Sequence, residues 1–447
     1  MAAEKAKQAR SGAKPALDVF EVLVARLRAA AHGLPLEERR ALWKNVLARF
    51  PNEAVIARHY VSDLLVSEGW QELDAFEPQA ERYRSAELDL RYIDVALARF
   101  DAVRARERLD RFIARYGQSV EMLSRAYDLA TMQRDFATAL RIAKQLQPLS
   151  PKNPDWPRLL IYRARFHRDL KQAWGRPPKG ERDYDIFVVN LDRDTLRMDR
   201  MARQLGDVAY RRIPAVRGSY LPDLVVGALT HGYGTEMKGT VGCFFSHVAI
   251  WEMVASGERS ALILEDDAWI VSELPHSLAD IPVPDDYELC FVNEGMQPRR
   301  FSLNSNRLRV RPAGDVALNK RSSWTAPSTV GYLVSPAGAR ELLSRIARDG
   351  MAGDIDWRLV AYAMTPAQRR EIIARGTFAS VAIAFHGRFV GRKRPLRAYS
   401  LIPSLVRTVG GGSIRIFDNR MAHAHEAAIE DLMAKRRLEK HRGTLRQ

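Results

Sequence analysis

Three consecutive acids, Glu265-Asp266-Asp267, end the apolar run Ala261–Leu264. A strand that stops in carboxylates puts negative charge at its carboxyl end, where open α/β sheets bind ligands. Adjacent carboxylates repel one another, so this placement is tolerated best when a cation or several donors neutralise them. Oxygen ligands of this kind suit Mg²⁺ or Mn²⁺, which bind carboxylates together with substrate phosphates. In extended chain Glu265 and Asp267 face one way and Asp266 the other. The competing reading is a solvated acidic turn without function, and only the surrounding sequence argues against it.

Upstream, Gly239-Thr240-Val241-Gly242-Cys243-Phe244-Phe245-Ser246-His247-Val248-Ala249-Ile250-Trp251 reads as a glycine-bearing loop running into an apolar helix. Glycines permit close backbone approach, and amides at a helix start favour an anion. Taken alone, His247 reads as a hydrogen-bonded structural histidine and Trp251 as core. Asn190-Leu191-Asp192-Arg193 closes another apolar run, followed by Arg197, Arg200 and Arg203 on a helix whose plain reading is a solvated face. His386 and Arg388 follow Val381–Phe385 (VAIAF), read as a strand, which would set His386 at a strand end as a metal or phosphate ligand. Arg388, Arg392, Lys393 and Arg394 form a basic loop able to receive diphosphate or an anionic glycolipid.

The elements that must position these groups fall into two unlike halves. From Leu17 to Trp174 the sequence is helix after helix, with Phe20, Leu23, Val24, Leu27 and Ala31 at helical spacing in the first. Tyr60, Tyr92, Tyr127 and Tyr162 recur at intervals of 32, 35 and 35 residues, each in an apolar and arginine-rich setting. A period near 34 indicates stacked helical hairpins, because one pair cannot bury its apolar stripe alone. This half resembles a degenerate tetratricopeptide array, with an irregular bundle as the alternative. GRPPKGERD (175–183) cannot continue a helix and is read as a linker. Beyond it, the runs Ile186–Leu191, Ala261–Leu264, Glu288–Val292 and Gly331–Val334 join Val381–Phe385 as expected strands. Apolar runs without strict alternation, interleaved with helices, indicate an α/β sheet buried on both faces. A basic amphipathic tail occupies 416–447.

The 447 residues exceed one ordinary core, and 46% hydrophobic with 28% charged residues excludes a disordered or fibrous chain. Lys and Arg number 70 against 54 acids, a net charge of +16 that favours anionic partners. The basic residues are dispersed and no recognition module appears, so nucleic acid is not expected. With Cys243 and Cys290 the only cysteines, a disulfide framework is excluded. No secretory signal or membrane-spanning run is visible, so the expected location is cytoplasmic, with a peripheral position on the inner membrane face as an option.

In order, these pieces resemble glycosyltransferase family 25, which includes lipooligosaccharide and collagen galactosyltransferases. The resemblance rests on Phe187–Arg193, Gly239–Trp251, Glu265–Asp267 and Gly331–Ser335, with Pro403–Val406 and Gly410–Ser413 resembling the closing segment. It covers 184–415, leaves the helical domain 17–174 unexplained, and implies a GT-A-like fold.

The implied activity is metal-dependent, inverting transfer of a sugar, galactose among the candidates, from a UDP-sugar to a hydroxyl of a cell-envelope glycan or related acceptor. Asp267, Glu265 and His386 are then the candidate Mn²⁺ or Mg²⁺ ligands. Asn190, Asp192, Arg193, Ser246, His247, Glu265, Asp266 and Arg388 are the candidate contacts to the donor. Asp356 and Asp354, in GDIDWRL, are candidates for the base that accepts the acceptor's proton. Apolar flanks favour Asp356, and a helix cap or surface ion pair is its alternative reading. The other class of function is a helical-repeat scaffold for a protein partner, carrying an inactive transferase-like domain. An anionic membrane surface is a further candidate partner.

Overall fold

The computed structural model describes residues 27, 34, 36–151, 155–174, 182–232, 238–297, 307–319, 327–391 and 394–408. The expected tail 416–447, most of the linker, Arg392, Lys393 and Gly410–Ser413 lie outside these residues. So does the segment 18–31 apart from Leu27. The chain divides into two compact units at Tyr92/Ile93.

The first unit contains α1 (Leu36–Arg49), α2 (Ala54–Val66), α3 (Trp70–Ala80) and the first half of α4 (Ala86–Ala98). Trp43, Ile56, Leu64 and Leu73 are buried. Arg39 pairs with Asp63 at 3.0 Å and Arg40 with Glu72 at 3.1 Å, tying α1 to α2 and α3. The Tyr92 hydroxyl donates to the Leu73 carbonyl at 3.1 Å.

The second unit opens with the rest of α4 and continues through α5 (Ala102–Tyr116), α6 (Val120–Met132), α7 (Phe136–Leu149) and α8 (Asp155–Trp174). The four tyrosines fall on alternate helices. Tyr60, Tyr92, Tyr127 and Tyr162 fall in α2, α4, α6 and α8, and all are buried. One turn recurs with them. Glu68, Phe100 and Arg134 adopt φ of 50°, 55° and 54°, and the next residue's amide reaches back to the helix it leaves. Asp101 and Asp135 then cap the following helices by accepting from Arg104 N at 2.9 Å and Thr138 N at 3.0 Å.

The sheet strands are β1 (Asp185–Asn190), β2 (Arg211–Pro214), β3 (Ala261–Glu265), β5 (Leu289–Phe291), β6 (Arg309–Pro312), β7 (Gly331–Val334) and β8 (Ala398–Ile402). Their order is β2-β1-β3-β7-β5-β8-β6. β1 is parallel to β2 and β3, and β5 to β8, whereas β7 runs antiparallel to both neighbours. A separate antiparallel pair joins β4 (Ala268–Ile270) to β9 (Val406–Thr408). Interleaved are α9 (Thr195–Leu205), α10 (Asp223–Leu229), α11 (Lys238–Ser256), α12 (Ala313–Asn319), α13 (Pro336–Asp349), α14 (Ile355–Ala363), α15 (Pro366–Ala374) and α16 (Phe378–Val390). This mixed α/β architecture, preceded by helices, is the GT-A-like arrangement that the resemblance implies.

Four of the five expected strands are β1, β3, β5 and β7. The fifth, Val381–Phe385, lies inside α16. A capping box at Thr377 and Ser380 starts that helix, and Ala382, Ile383, His386 and Val390 are buried at helical spacing. A five-residue apolar run fits either element, and here the cap and the packing decide.

Strands β1, β3, β5, β7 and β8 divide their side chains between two cores. Phe187, Val189, Ile263, Phe291 and Tyr332 pack with Trp251, Leu342, Leu359 and Ile383 from α11, α13, α14 and α16. Ile186, Val188, Leu262, Leu264 and Cys290 pack with Tyr162, Phe166 and Leu170 of α8 and with Met201 and Leu205 of α9. The last helix of the repeat region is therefore one of the sheet's covering layers. Polar ties add to it: Arg407 stacks over the Trp269 ring at 3.6 Å and pairs with Asp128 of α6 at 2.7 Å, and Arg134 pairs with Glu273 at 2.9 Å. No helix among the described residues is long and apolar enough to cross a membrane.

Phe166→Ala is expected to cost about 3–5 kcal/mol. Urea unfolding followed by near- and far-UV circular dichroism should show helical and sheet signals of this unit still lost together. His167 lies against Phe136 in a tilted contact and meets Phe166 edge-on, and burial together with the Arg163 charge pushes its imidazole down to about 3. The native state stays neutral where the unfolded chain takes up a proton, so stability present above the ordinary value near 6.5 is lost on acidification. Below pH 6.5 the unfolding free energy should fall by up to about 1.4 kcal/mol per pH unit from this residue alone. Denaturation of His167→Phe between pH 7 and 4 should lack that component.

Candidate active site

The chain leaves β1 for β2 on one side and returns through α11 to β3 on the other, so strand order reverses at β1. Ligands in open α/β sheets bind at the carboxyl ends flanking such a switch point. Register sets Val189 beside Glu265, which brings Asn190 and Glu265-Asp266-Asp267 to this edge.

Asp266 turns inward and is only 7% exposed. Its Oδ1 accepts from Arg197 Nη1 at 2.9 Å and its Oδ2 from Asn190 Nδ2 at 2.8 Å, while Arg200 Nη2 donates to its carbonyl at 2.7 Å. Asn190 is held in turn by Arg212, whose Nε donates to Oδ1 at 2.9 Å. Burial pushes the Asp266 carboxyl up, opposed by Arg197 and Asn190. Arg197 and Arg200 are thus buried structural groups and not a solvated face. Of the trio, Asp266 and its partner Asn190 are engaged in fixing the turn after β3. Glu265 and Asp267 are both half-buried.

Glu265 looks the other way. Its Oε1 accepts from the Thr329 hydroxyl and faces His247 Nε2 at 3.5 Å. The same Thr329 hydroxyl lies 2.5 Å from Asp356 Oδ1, which also accepts the Thr329 amide at 2.8 Å. Two acids from distant parts of the chain therefore meet at one hydroxyl, which has a single proton to give. Asp356 sits in the first turn of α14, and Asp354 is that helix's N-cap residue.

Behind Glu265 stands a chain of buried polar groups. Trp251 Nε1 donates to the Tyr332 hydroxyl at 3.0 Å, and that hydroxyl lies 2.8 Å from His247 Nδ1. An indole only donates, so the Tyr332 proton is available to Nδ1. Burial raises the Tyr332 phenol well above 10, which keeps that proton in place. The imidazole is thereby aimed at Glu265. Cys243, one turn before His247, offers its sulfur within the same cluster.

Ser246 acts locally. Its Oγ accepts from Val216 N at 2.8 Å and donates to the Gly242 carbonyl at 2.8 Å. A Cβ on Gly242 would stand 2.5 Å from the Val216 carbonyl. This glycine admits the protein's own backbone, and Gly239 and Gly242 lie within α11 and not in a loop before it. Asp192 and Arg193 are exposed, paired with Arg212 and with Asp194. His386 lies inside α16 and not at a strand end; its Nδ1 accepts from Arg358 Nε at 3.2 Å. Arg388 is exposed on the last turn of α16. Arg394 binds Glu288 through two contacts of 2.9 and 2.5 Å, so this member of the basic loop is committed to the fold. Sequence reasoning gave no role to Thr329, Tyr332 or Cys243. Tyr332 and Cys243 were legible as members of Gly331–Ser335 and of the α11 motif, whereas Thr329 carried no signal.

Residues 183–356 match the family described as Glycosyltransferase family 25 (LPS biosynthesis protein). The chain is similar to "Procollagen galactosyltransferase 1" of Danio rerio, 31% identical over 178 residues, 36% of this chain and 28% of that protein. It is similar to "Procollagen galactosyltransferase 2" of Homo sapiens, 27% identical over 177 residues, 36% of this chain and 27% of that protein. It is also similar to "Probable inactive glycosyltransferase 25 family member 3" of Bos taurus, 29% identical over 192 residues, 38% of this chain and 30% of that protein. The matched part thus spans under a third of each relative, and the family match covers 183–356 of the expected 184–415, leaving β8, β9 and the expected closing segment outside it.

Arg197→Ala leaves Asp266 buried without its cation and is expected to cost about 3–5 kcal/mol. Chemical denaturation would measure this, and a loss below about 1 kcal/mol would mean that Asp266 does not depend on the pair.

Proposed function

We propose that this chain transfers a sugar from a nucleotide sugar to an acceptor hydroxyl, with inversion at the anomeric carbon. The observation that carries the reading is the meeting of Glu265 and Asp356 at the Thr329 hydroxyl, beside the sheet's switch point and inside the family-matched segment. The acceptor oxygen attacks the anomeric carbon, the bond from that carbon to the diphosphate oxygen breaks, and the nucleoside diphosphate leaves with the bonding electrons. Asp356 takes the acceptor's proton, its carboxylate oriented by the Thr329 amide. Glu265 and Asp267 are the residues that would hold Mn²⁺ or Mg²⁺, which when bound offsets the charge growing on the leaving diphosphate. Asp266 takes no part in this, because Arg197 and Asn190 hold it. His386 is placed with Arg358 and is not assigned to the cation.

The galactosyltransferase relatives make UDP-galactose the first donor to test. The family description favours a cell-envelope glycan as acceptor, and a collagen peptide is the comparison the relatives supply.

A second reading has a specific observation behind it: one similar protein bears the name of an inactive member. Retention of the acidic trio is also weaker support for catalysis than it looks, since the fold itself requires Asp266. Here the chain would be a helical-repeat scaffold.

Release of UDP from UDP-galactose and other nucleotide sugars, with Mn²⁺ present, separates the readings. Asp267→Asn and Asp356→Asn should each lower turnover on the order of 100-fold or more while far-UV circular dichroism is unchanged. UDP with Mn²⁺ at about 100 times its dissociation constant should stabilise the fold by about 2.7 kcal/mol. No turnover with any donor, together with an unmoved melting temperature, would leave the scaffold.

A further inference from the structure

The transfer reading gives no role to the Cys243 thiol, yet that thiol belongs to a compact set of ligand atoms. Cys243 and His247 stand one turn apart on α11 and share a face. Their ligand atoms and that of Glu265 all lie within 4.8 Å of one another. His247 Nε2 faces Glu265 Oε1 at 3.5 Å, and this buried nitrogen makes no hydrogen bond among the described residues. A buried polar atom left in that condition costs about 1–3 kcal/mol, and a cation shared with the facing carboxylate would satisfy it.

The His247–Glu265 separation fits such an ion. Around a tetrahedral centre with bonds of about 2.0–2.1 Å to nitrogen and oxygen, two ligand atoms stand roughly 3.4 Å apart. His247 also has the outer partner that ligating imidazoles need, because Tyr332 holds Nδ1 at 2.8 Å and Trp251 holds Tyr332. For Nε2 to present its lone pair to a metal, the ring proton must move to Nδ1 and be donated to the Tyr332 oxygen, so metal binding would reverse the direction of the Tyr332–His247 hydrogen bond.

We propose that Cys243, His247 and Glu265 form a three-ligand site for a thiophilic divalent cation of the Zn²⁺ class. Thiolate sulfur selects Zn²⁺ or Co²⁺ over Mg²⁺ and Mn²⁺, which prefer the all-oxygen setting of Glu265 with Asp267. Three protein ligands leave a fourth position for water or another donor. The two settings share Glu265, but this one does not depend on the transfer reading, and its test reads metal binding and not turnover.

The full chain, stripped by a chelator, is titrated with Co²⁺, whose thiolate complexes absorb intensely in the ultraviolet by charge transfer. The band should appear with about one equivalent, be lost in Cys243→Ser, survive in Cys290→Ser, and be displaced by Zn²⁺ but not by equal Mg²⁺. Tyr332→Phe should weaken Co²⁺ binding on the order of 10- to 100-fold. The unsubstituted chain provides a second measurement that no folding defect can mimic: Zn²⁺ should slow alkylation of Cys243, followed by mass spectrometry of its peptide. The site is overturned if the unsubstituted chain gives no thiolate band, if Cys243→Ser keeps it, or if Zn²⁺ leaves the alkylation rate unchanged.

Discussion

The salt bridge between Asp266 and Arg197, closed by Asn190, is the constraint on which this site depends. It joins the end of β1, the first turns of α9 and the turn after β3 through groups almost wholly removed from water. A buried carboxylate is tolerable only when donors surround it, and here two side chains supply them. Asp266 points inward from the turn after β3, while Glu265, the last residue of the strand, points elsewhere. There it meets Thr329, His247 and, through Thr329, Asp356.

A second constraint comes from the sheet. Its strands bury both faces, so each face needs a cover. Helices α11, α13, α14 and α16 cover one, while α8 and α9 share the other. Helix α8 is the last helix of the repeating series, and its Tyr162, Phe166 and Leu170 face Ile186, Val188 and Leu264. This helix and the sheet therefore share one hydrophobic core.

The polar chain Trp251–Tyr332–His247 shows how such a core accommodates chemistry. Tyr332 lies on the same sheet face as Phe187 and Ile263, yet its hydroxyl is satisfied by an indole and an imidazole. Satisfied networks of this kind hold one geometry, because every alternative leaves a buried polar atom unpaired. The result is an imidazole and a thiol on one helix face, presented to a carboxylate on the adjoining strand.

The sequence by itself determined what depends on local order along the chain. Tyrosines spaced by one hairpin marked alternate helices, continuous apolar runs marked β1, β3, β5 and β7, and the acids at the end of β3 marked the carboxyl edge of the sheet. Its motifs, read in order, pointed to the family that residues 183–356 match. Tertiary structure decided everything that required distant residues to meet. Val381–Phe385 became helix because its cap and its packed face outweighed a run too short to declare a period. Arg197 and Arg200 became buried because an acid far along the chain awaited them. His386 was taken by Arg358, Arg394 by Glu288, and Ser246 by the Val216 amide and the Gly242 carbonyl. Thr329 gained its place only when Glu265 and Asp356 came to either side of it. A carboxylate's role follows from the donors and charges around it, and those are set by packing between elements, which spacing along one chain does not encode.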